Sequence, residues 1–319
     1  MKKIAIFTSG GDAPGMNAHI RAVVRTCLNH KIEPIGIYGG YEGMMNGNFT
    51  SLNRAFTANL ISQGGTVLKT SRSKVFKSAE GREKAYKNLQ KFQVDGVIAC
   101  GGDGTFHGAN LLYEEFGVNI VGTPGTIDND LFGTQYTIGY DTAINTAVEA
   151  IDKIRDTADS HGRVFIIEVM GRHAGHIAMD VGISTGAEYV IVPEREIDID
   201  GLYKKIKSMG EHIRTIVIMG EGGMLGGANE LSDKLEQIFG LESKSTILGH
   251  IQRGGSPSVK DRVLASHLGL AAVEALINGK TNVMVGRVHN EITYTQLPET
   301  WEKKKNINDY LYKLSEQLA

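Results

Sequence analysis

The chain has 319 residues, with 34 Lys or Arg against 36 Asp or Glu, a formal net charge of −2. That balance argues against a dedicated nucleic-acid binder, and 41% apolar with 22% charged residues excludes the composition of disordered chains. Glycine is in excess, 40 residues against six prolines, where ordinary chains carry ~7% and ~5%.

In chain order, an apolar run at 4–7 reads as a strand that ends at two glycines and gives way to a helical pattern at 16–29. A strand at 33–38 follows, then a helix at 80–92 that leads to strands at 95–100 and 119–122. A helix over 140–157 introduces the second half, with strands at 164–170, 189–192, 215–220 and 246–249 and helices at 199–209, 231–239 and 256–278. The segment after Pro298 reads as a charged loop and a short amphipathic helix. The apolar runs are continuous rather than alternating, as in strands buried on both faces of a parallel sheet. Their alternation with helices predicts an α/β protein with mainly parallel sheets, and the length favours two Rossmann-like, doubly wound domains.

Cys27 and Cys100 lie far apart, which points to a reducing compartment. The first apolar run stops at Phe7, too short for the core of a secretion signal. No stretch reaches the ~18–20 apolar residues of a membrane helix, so a soluble, cytoplasmic protein is expected.

Glycine clusters fall at the carboxyl ends of the strands: Gly10 and Gly11, then Gly101, Gly102 and Gly104, then Gly171 and Gly175, then Gly220, Gly222 and Gly223. Parallel sheets bind ligands beyond that edge, where amides and helix N-termini meet phosphate oxygens. In SGGDAPGMN (9–17) Gly11 can bring a bare amide to an anion, although the segment is neither GxGxxG nor GxxxxGK[ST] and a plain strand-to-helix turn would also explain it. In CGGDGTFHG (100–108) Asp103 stands among glycines, the setting for a carboxylate that holds Mg²⁺ on a polyphosphate. In PGTIDND (124–130) Asp128 and Asp130 can diverge in proton affinity, so that one takes a proton from a substrate hydroxyl; an ordinary Asp/Asn turn is an equal reading. Arg155, Arg163, Arg172 and Arg253 lie in or beside loops, and His250 with Arg253 could clamp a phosphate. Arg21 and Arg25 share one helix face, either solvated or forming a second anion site.

SGGDAPGMN, GGDGT, PGTIDND, VMGRHAG and LGHIQRGGSP, in this order and spacing over essentially the whole chain, resemble the bacterial ATP-dependent phosphofructokinases. The resemblance implies transfer of the γ-phosphoryl of MgATP to the 1-hydroxyl of fructose 6-phosphate. It implies Asp128 as the base, with Asp130 and Thr126 beside it, Asp103 at the magnesium, Gly11 donating its amide to the transferred phosphoryl, and Arg172 stabilising charge during transfer. ATP would lie against Tyr41, Arg72, Ser73, Phe76, Gly102, Gly104, Thr105 and Gly108. The sugar phosphate would meet Thr126, Ile127, Met170, Gly171, Glu221, His250 and Arg253, joined by Arg163 and Lys244 from a neighbouring subunit of a homotetramer. Arg21, Arg25, Arg54, Arg155, Gly186, Glu188, His212 and Arg214 would match an effector site for ADP and phosphoenolpyruvate.

The resemblance also implies a larger ATP-binding domain at 1–139 plus 252–302 and a smaller sugar-phosphate domain at 140–251 plus 303–319, with a cleft between them that excludes water. Pyrophosphate-dependent relatives carry Asp where this chain has Gly104 and Lys where it has Gly125, so glycine at both positions implies ATP. Lys244 replaces the usual arginine and loses its bidentate fork, which predicts altered sugar binding. The effector loop is shortened to SMGEHIRT, and Asn59 stands for a frequent aspartate, which predicts weak or absent control by ADP and phosphoenolpyruvate. A GGDG-type NAD or lipid kinase would leave PGTIDND and LGHIQRGG unexplained, and a Rossmann dehydrogenase would need the missing glycine fingerprint. A catalytically inactive regulatory subunit would need no base at Asp128.

Overall fold

The structure, a computed structural model, describes residues 1–161, 163–210, 214–223 and 226–319. Elements in its first part run β1 (Lys3–Thr8), α1 (Met16–Asn29), β2 (Glu33–Ile37), α2 (Gly40–Asn46), β3 (Phe49–Ser51), α3 (Ala79–Lys91), β4 (Gly96–Gly101), α4 (Asp103–Phe116) and β5 (Ile120–Pro124). They continue with α5 (Tyr140–His161), β6 (Val164–Val169), α6 (His176–Thr185), β7 (Tyr189–Ile191), α7 (Ile199–Ser208), β8 (Thr215–Gly220), α8 (Ala228–Phe239) and β9 (Ser243–Ile247). The last are α9 (Val259–Ile277), β10 (Val283–Val288), β11 (Glu291–Gln296), α10 (Glu299–Glu302) and α11 (Asp309–Leu318). Two compact units result: Met1–Ile127, Leu131–Thr142 and Arg253–Lys305 form one, and Asp128–Asp130, Ala143–Gln252 and Asn306–Ala319 the other.

The first unit holds a seven-stranded sheet in the order β11-β10-β5-β4-β1-β2-β3. The pairs β2–β3 and β10–β11 are antiparallel and the rest parallel. β1 and β4 sit at its centre, and their apolar runs are buried throughout, as continuous hydrophobicity requires. From β1 the chain builds outward to β2, then returns to β4 on the other side. The loops after β1 and β4 therefore diverge at a topological switch point, where such sheets open a crevice. Ser9 N donates to the Cys100 carbonyl at 3.0 Å and Gly125 N to the Gly101 carbonyl at 2.9 Å, tying the ends of β1, β4 and β5 together. The second unit holds a four-stranded parallel sheet, β7-β8-β6-β9, with Ile166, Val217, Met219, Leu231 and Leu235 in its core.

Two helices of the first unit pack closely where Gly269 of α9 meets α1, since a Cβ there would lie 2.7 Å from that of Ala22. Beside this contact His19 is fully buried, with Nδ1 3.3 Å from the Ala265 carbonyl and Nε2 3.0 Å from Thr123 Oγ1. A carbonyl only accepts, so Nδ1 carries the proton and the threonine hydroxyl donates to Nε2. Burial lowers the His19 pKa to about 4. Between about 4 and the unfolded value near 6.5 the unfolded chain binds the extra proton. Stability from this neutral histidine is therefore complete above that range and lost as pH falls through it, by on the order of 3 kcal/mol. Buried Asp261 acts in the opposite sense, because burial raises its pKa despite hydrogen bonds from Gly139 and Thr142. The expected result is a urea midpoint that drops between pH 7 and pH 4.5 in the wild type and drops less in His19→Gln; equal drops would contradict it.

Several elements differ from the sequence reading. The last strand of the four-stranded sheet lies at Ser243–Ile247, not 246–249, because β9 is an edge strand whose exposed positions admit polar SKST. The glycines of GGDGTFHG hide the helix α4, which opens directly on Asp103. The hairpin β10–β11 turns through His289 and Asn290, with φ of 49° and 67°, the paired left-handed residues of a type I′ turn. Its His-Asn sequence lacks the usual Asn-Gly signal.

Candidate active site

In the first unit, the turn after β1 places Gly11 directly beneath the Arg253 guanidinium. A Cβ at Gly11 would lie 2.4 Å from the nearest guanidinium nitrogen, so only glycine fits with the arginine in place. Arg253 Nε is buried and has no hydrogen-bond partner among the described residues. A donor left over beside a side-chain-free turn suits a phosphate oxygen.

The turn after β4 runs into α4, with Gly102 at the N-cap and Asp103 exposed in the first turn, where the helix dipole favours negative ligands. Gly104 has open space around its Cβ position, and Gly102 meets only Thr126, at 3.7 Å. Thr105 is 3% exposed, and its buried hydroxyl has no partner among the described residues. Tyr41 and Phe76 stack at 3.9 Å, and Gly108 fits against both rings because a Cβ would lie within 2.9 Å of each. Both aromatics belong to the buried core, and the Tyr41 hydroxyl donates to the Thr105 carbonyl at 2.5 Å. Arg72 is exposed, while Ser73 accepts from Phe76 N at 3.2 Å.

In the second unit, Asn129 adopts φ 55° between Asp128 and Asp130, so the two carboxylates enter different surroundings. Asp128 is 2% exposed and Asp130 partly exposed. Arg172, itself left-handed at φ 54°, brings Nε to 3.4 Å from Asp128 Oδ2. Glu221 accepts from the amides of Gly171 and Arg172, Met170 is buried, and His250 is exposed on the turn Gly249–Arg253. The Thr126 carbonyl, in the first unit, accepts from Thr137 Oγ1 at 2.6 Å, and Ile127 is 2% exposed.

Arg163 and Lys244 do not join this group. Arg163 precedes β6 and Lys244 lies early in β9, paired in register with Phe165, whereas Met170–Arg172 follow the opposite end of β6. Six residues of strand separate the two ends by about 20 Å. Lys244 pairs with Glu242 at 3.0 Å. Of the second cationic set, Arg25 Nε donates to Thr57 at 2.8 Å, and desolvation and then the charges of Arg54 and Arg21 lower its pKa, which places these three arginines together. In the second unit Arg155 donates to the Thr185 carbonyl, Gly186 ends α6 in the left-handed region and Glu188 accepts from Ile216 N at 2.6 Å; Arg214 precedes β8. His212 lies outside the described residues.

The sequence reading missed Gln252, fully buried within LGHIQRGG, whose Oε1 accepts from Met170 N at 2.9 Å. Its only signal was a polar residue between Ile251 and Arg253. Cys100 and Met16 were missed as the walls against Gly125.

Glycine turns at the carboxyl ends of parallel strands, an arginine over a bare amide and a buried carboxylate beside a second arginine make an α/β protein suited to phosphorylated ligands. The phosphofructokinase family pattern matches residues 3–276, and the chain belongs to the phosphofructokinase family. It is 54% identical over 321 residues to ATP-dependent 6-phosphofructokinase 1 of Thermus thermophilus, covering all of both chains. It is 52% identical to the ATP-dependent 6-phosphofructokinase of Cytophaga hutchinsonii, covering all of this chain and 98% of the relative. Among solved structures, a Saccharomyces cerevisiae phosphofructokinase matches all of this chain with a TM-score of 0.90 and 36% identity. This chain spans about half of that longer one, 48%. Among the described residues no helix is long and apolar enough to cross a membrane.

Proposed function

We propose that the protein is a cytoplasmic glycolytic kinase that transfers the γ-phosphoryl of MgATP to the 1-hydroxyl of fructose 6-phosphate, giving fructose 1,6-bisphosphate and ADP. The observation that carries this reading is the Asp128–Arg172 pair: a buried carboxylate 3.4 Å from a half-exposed guanidinium held by a left-handed backbone. Asp128 accepts the hydroxyl proton as the oxygen attacks, and Asp130 and Thr126 flank it. Arg172 offsets the charge that spreads over the phosphoryl oxygens, and the Gly11 amide and Arg253 offer donors to phosphate oxygens. Positioning and charge neutralisation are most of what phosphoryl transfer requires.

The residues present fit a magnesium ion carried by the nucleotide. Asp103 would supply one hard oxygen ligand at a helix N-terminus, and among the described residues no group of three His, Cys, Asp or Glu side chains forms a cage of its own. Asp103 would hold the ion, whose chemistry would be to offset the polyphosphate charge.

ATP lies against Tyr41, Ser73, Phe76, Gly102, Gly104, Thr105 and Gly108, and Arg72 bridges its polyphosphate. The larger, ATP-binding domain takes 1–139 plus 252–302, and the sugar-phosphate domain takes the rest. Met170, Gly171, Glu221, His250 and Arg253 hold the sugar phosphate. Arg163 and Lys244, at the far end of β6, complete the site of another subunit in a homotetramer. Arg21, Arg25 and Arg54 with Arg155, Gly186, Glu188, His212 and Arg214 form an effector site whose response to ADP and phosphoenolpyruvate is weak. The test is a coupled assay with fructose 6-phosphate. Turnover is expected with ATP, none with pyrophosphate, and little shift of the sugar saturation curve on adding ADP or phosphoenolpyruvate. Turnover with pyrophosphate alone would favour the pyrophosphate-dependent alternative, and none with either donor a regulatory subunit.

A further inference from the structure

The loop after β6 presents three consecutive amides, and a side-chain oxygen takes each of them. Gln252 Oε1 accepts from Met170 N at 2.9 Å, and Glu221 Oε1 accepts from Gly171 N at 3.2 Å and Arg172 N at 2.9 Å. The backbone they hold is unusual: Gly171 has φ 142° and Arg172 φ 54°, a left-handed conformation that few arginines adopt. Such a conformation persists only where its surroundings fix it. Gly222 allows the approach, since a Cβ there would lie 2.0 Å from the Arg172 carbonyl oxygen.

The Arg172 side chain is half exposed, so its aim at Asp128 is set largely from the backbone end. Gln252 is fully buried, yet its Nε2 has no hydrogen-bond partner among the described residues. A buried amide with one unsatisfied half is a cost that an apolar residue of the same size would avoid. The half that is satisfied goes to Met170. A packing role alone would not call for glutamine.

We propose that Gln252 is a positioning residue for phosphoryl transfer: with Glu221 it clamps the 170–172 amides and holds Arg172 in the left-handed conformation that sets its guanidinium beside Asp128. The inference rests on the roles given above to Asp128 and Arg172. It also gives Glu221 a backbone task in addition to any contact with the sugar.

The test is Gln252→Met, which keeps the volume and removes both the acceptor and the unsatisfied donor. The expected result is a kcat about 10- to 100-fold lower, the cost of misplacing a charge-stabilising group by about an ångström. The KM for fructose 6-phosphate and the Tm stay near their wild-type values. In an Arg172→Ala background the same substitution changes kcat less than about twofold, because the residue it acts through is gone. Additive losses, or a loss confined to KM, overturn the proposal. Hydrogen exchange in the peptide spanning 170–172 is expected to quicken in the variant whatever the substrate, and unchanged exchange overturns the clamp. A wild type inactive on fructose 6-phosphate overturns instead the reaction proposed above. If Gln252→Met does not fold, Gln252→Asn keeps the amide but withdraws its oxygen by one methylene, with the same coupling expected.

Discussion

Asp128→Ser lowers kcat by about 10²- to 10⁴-fold, the contribution of a positioned general base, while fructose 6-phosphate binds as tightly as before or more tightly. The two halves of this expectation have different causes. The hydroxyl proton loses its acceptor, since serine cannot take it at neutral pH. The sugar phosphate is an anion, and the substitution removes a buried carboxylate beside Arg172, 3.4 Å from its Nε. The fold should tolerate the change, because Arg172 is half exposed and is left facing water rather than stranded in an apolar interior. Steady-state turnover together with calorimetric titration of the sugar phosphate separates these effects. A kcat within threefold of the wild type would remove Asp128 from the chemistry, and a comparable loss of binding would make it a substrate contact.

The two glycines proposed to select the phosphoryl donor, Gly104 and Gly125, should respond to substitution in opposite ways. At Gly104 no heavy atom lies within 4 Å of an added Cβ, so Gly104→Asp should fold with an unchanged Tm and place a carboxylate in the first turn of α4. Like-charge repulsion there is expected to raise the KM for ATP about 10- to 100-fold. At Gly125 an added Cβ would lie 2.7 Å from Cys100 Sγ and 3.0 Å from Met16 Cε, both fully buried. Gly125→Lys therefore overpacks the junction of β4, β5 and α1, and a Tm lower by several degrees is expected from a cost of about 1–3 kcal/mol. Cys100→Ala in the same chain should recover part of that loss. A Gly125→Lys protein that melts with the wild type would show that this junction yields freely.

The sequence made the central strands legible because burial on both faces leaves a continuous apolar run, as in β1 and β4. It made the turn after β1 legible because a position pressed against a guanidinium has room only for glycine, as at Gly11. It was least informative where composition and role part company. β9 is polar because it is an edge, α4 begins among glycines, and β10–β11 turns on a histidine and an asparagine. Within the site, Asp128 and Arg172 stood out as charges in loops, but the left-handed backbone of Arg172 did not, since arginine, unlike Asn129, carries no sequence mark of positive φ. Gln252 escaped notice because its job is to hold a backbone amide, and no spacing rule records that.

The buried contact between His19 and the Ala265 carbonyl joins residues 246 apart. During synthesis, β1, α1 and β2 leave the ribosome long before α9 exists to cover them. The four-stranded sheet, complete by Ile247, lies wholly within the chain made in that interval. The usual order, in which N-terminal structure is finished first, is thus reversed. The first strand made belongs to the sheet completed last, and the apolar face of the following helix α1 must wait for a late partner. Truncated nascent chains ending before α9 should accordingly depend on chaperones, and release should come as α9 clears the exit tunnel.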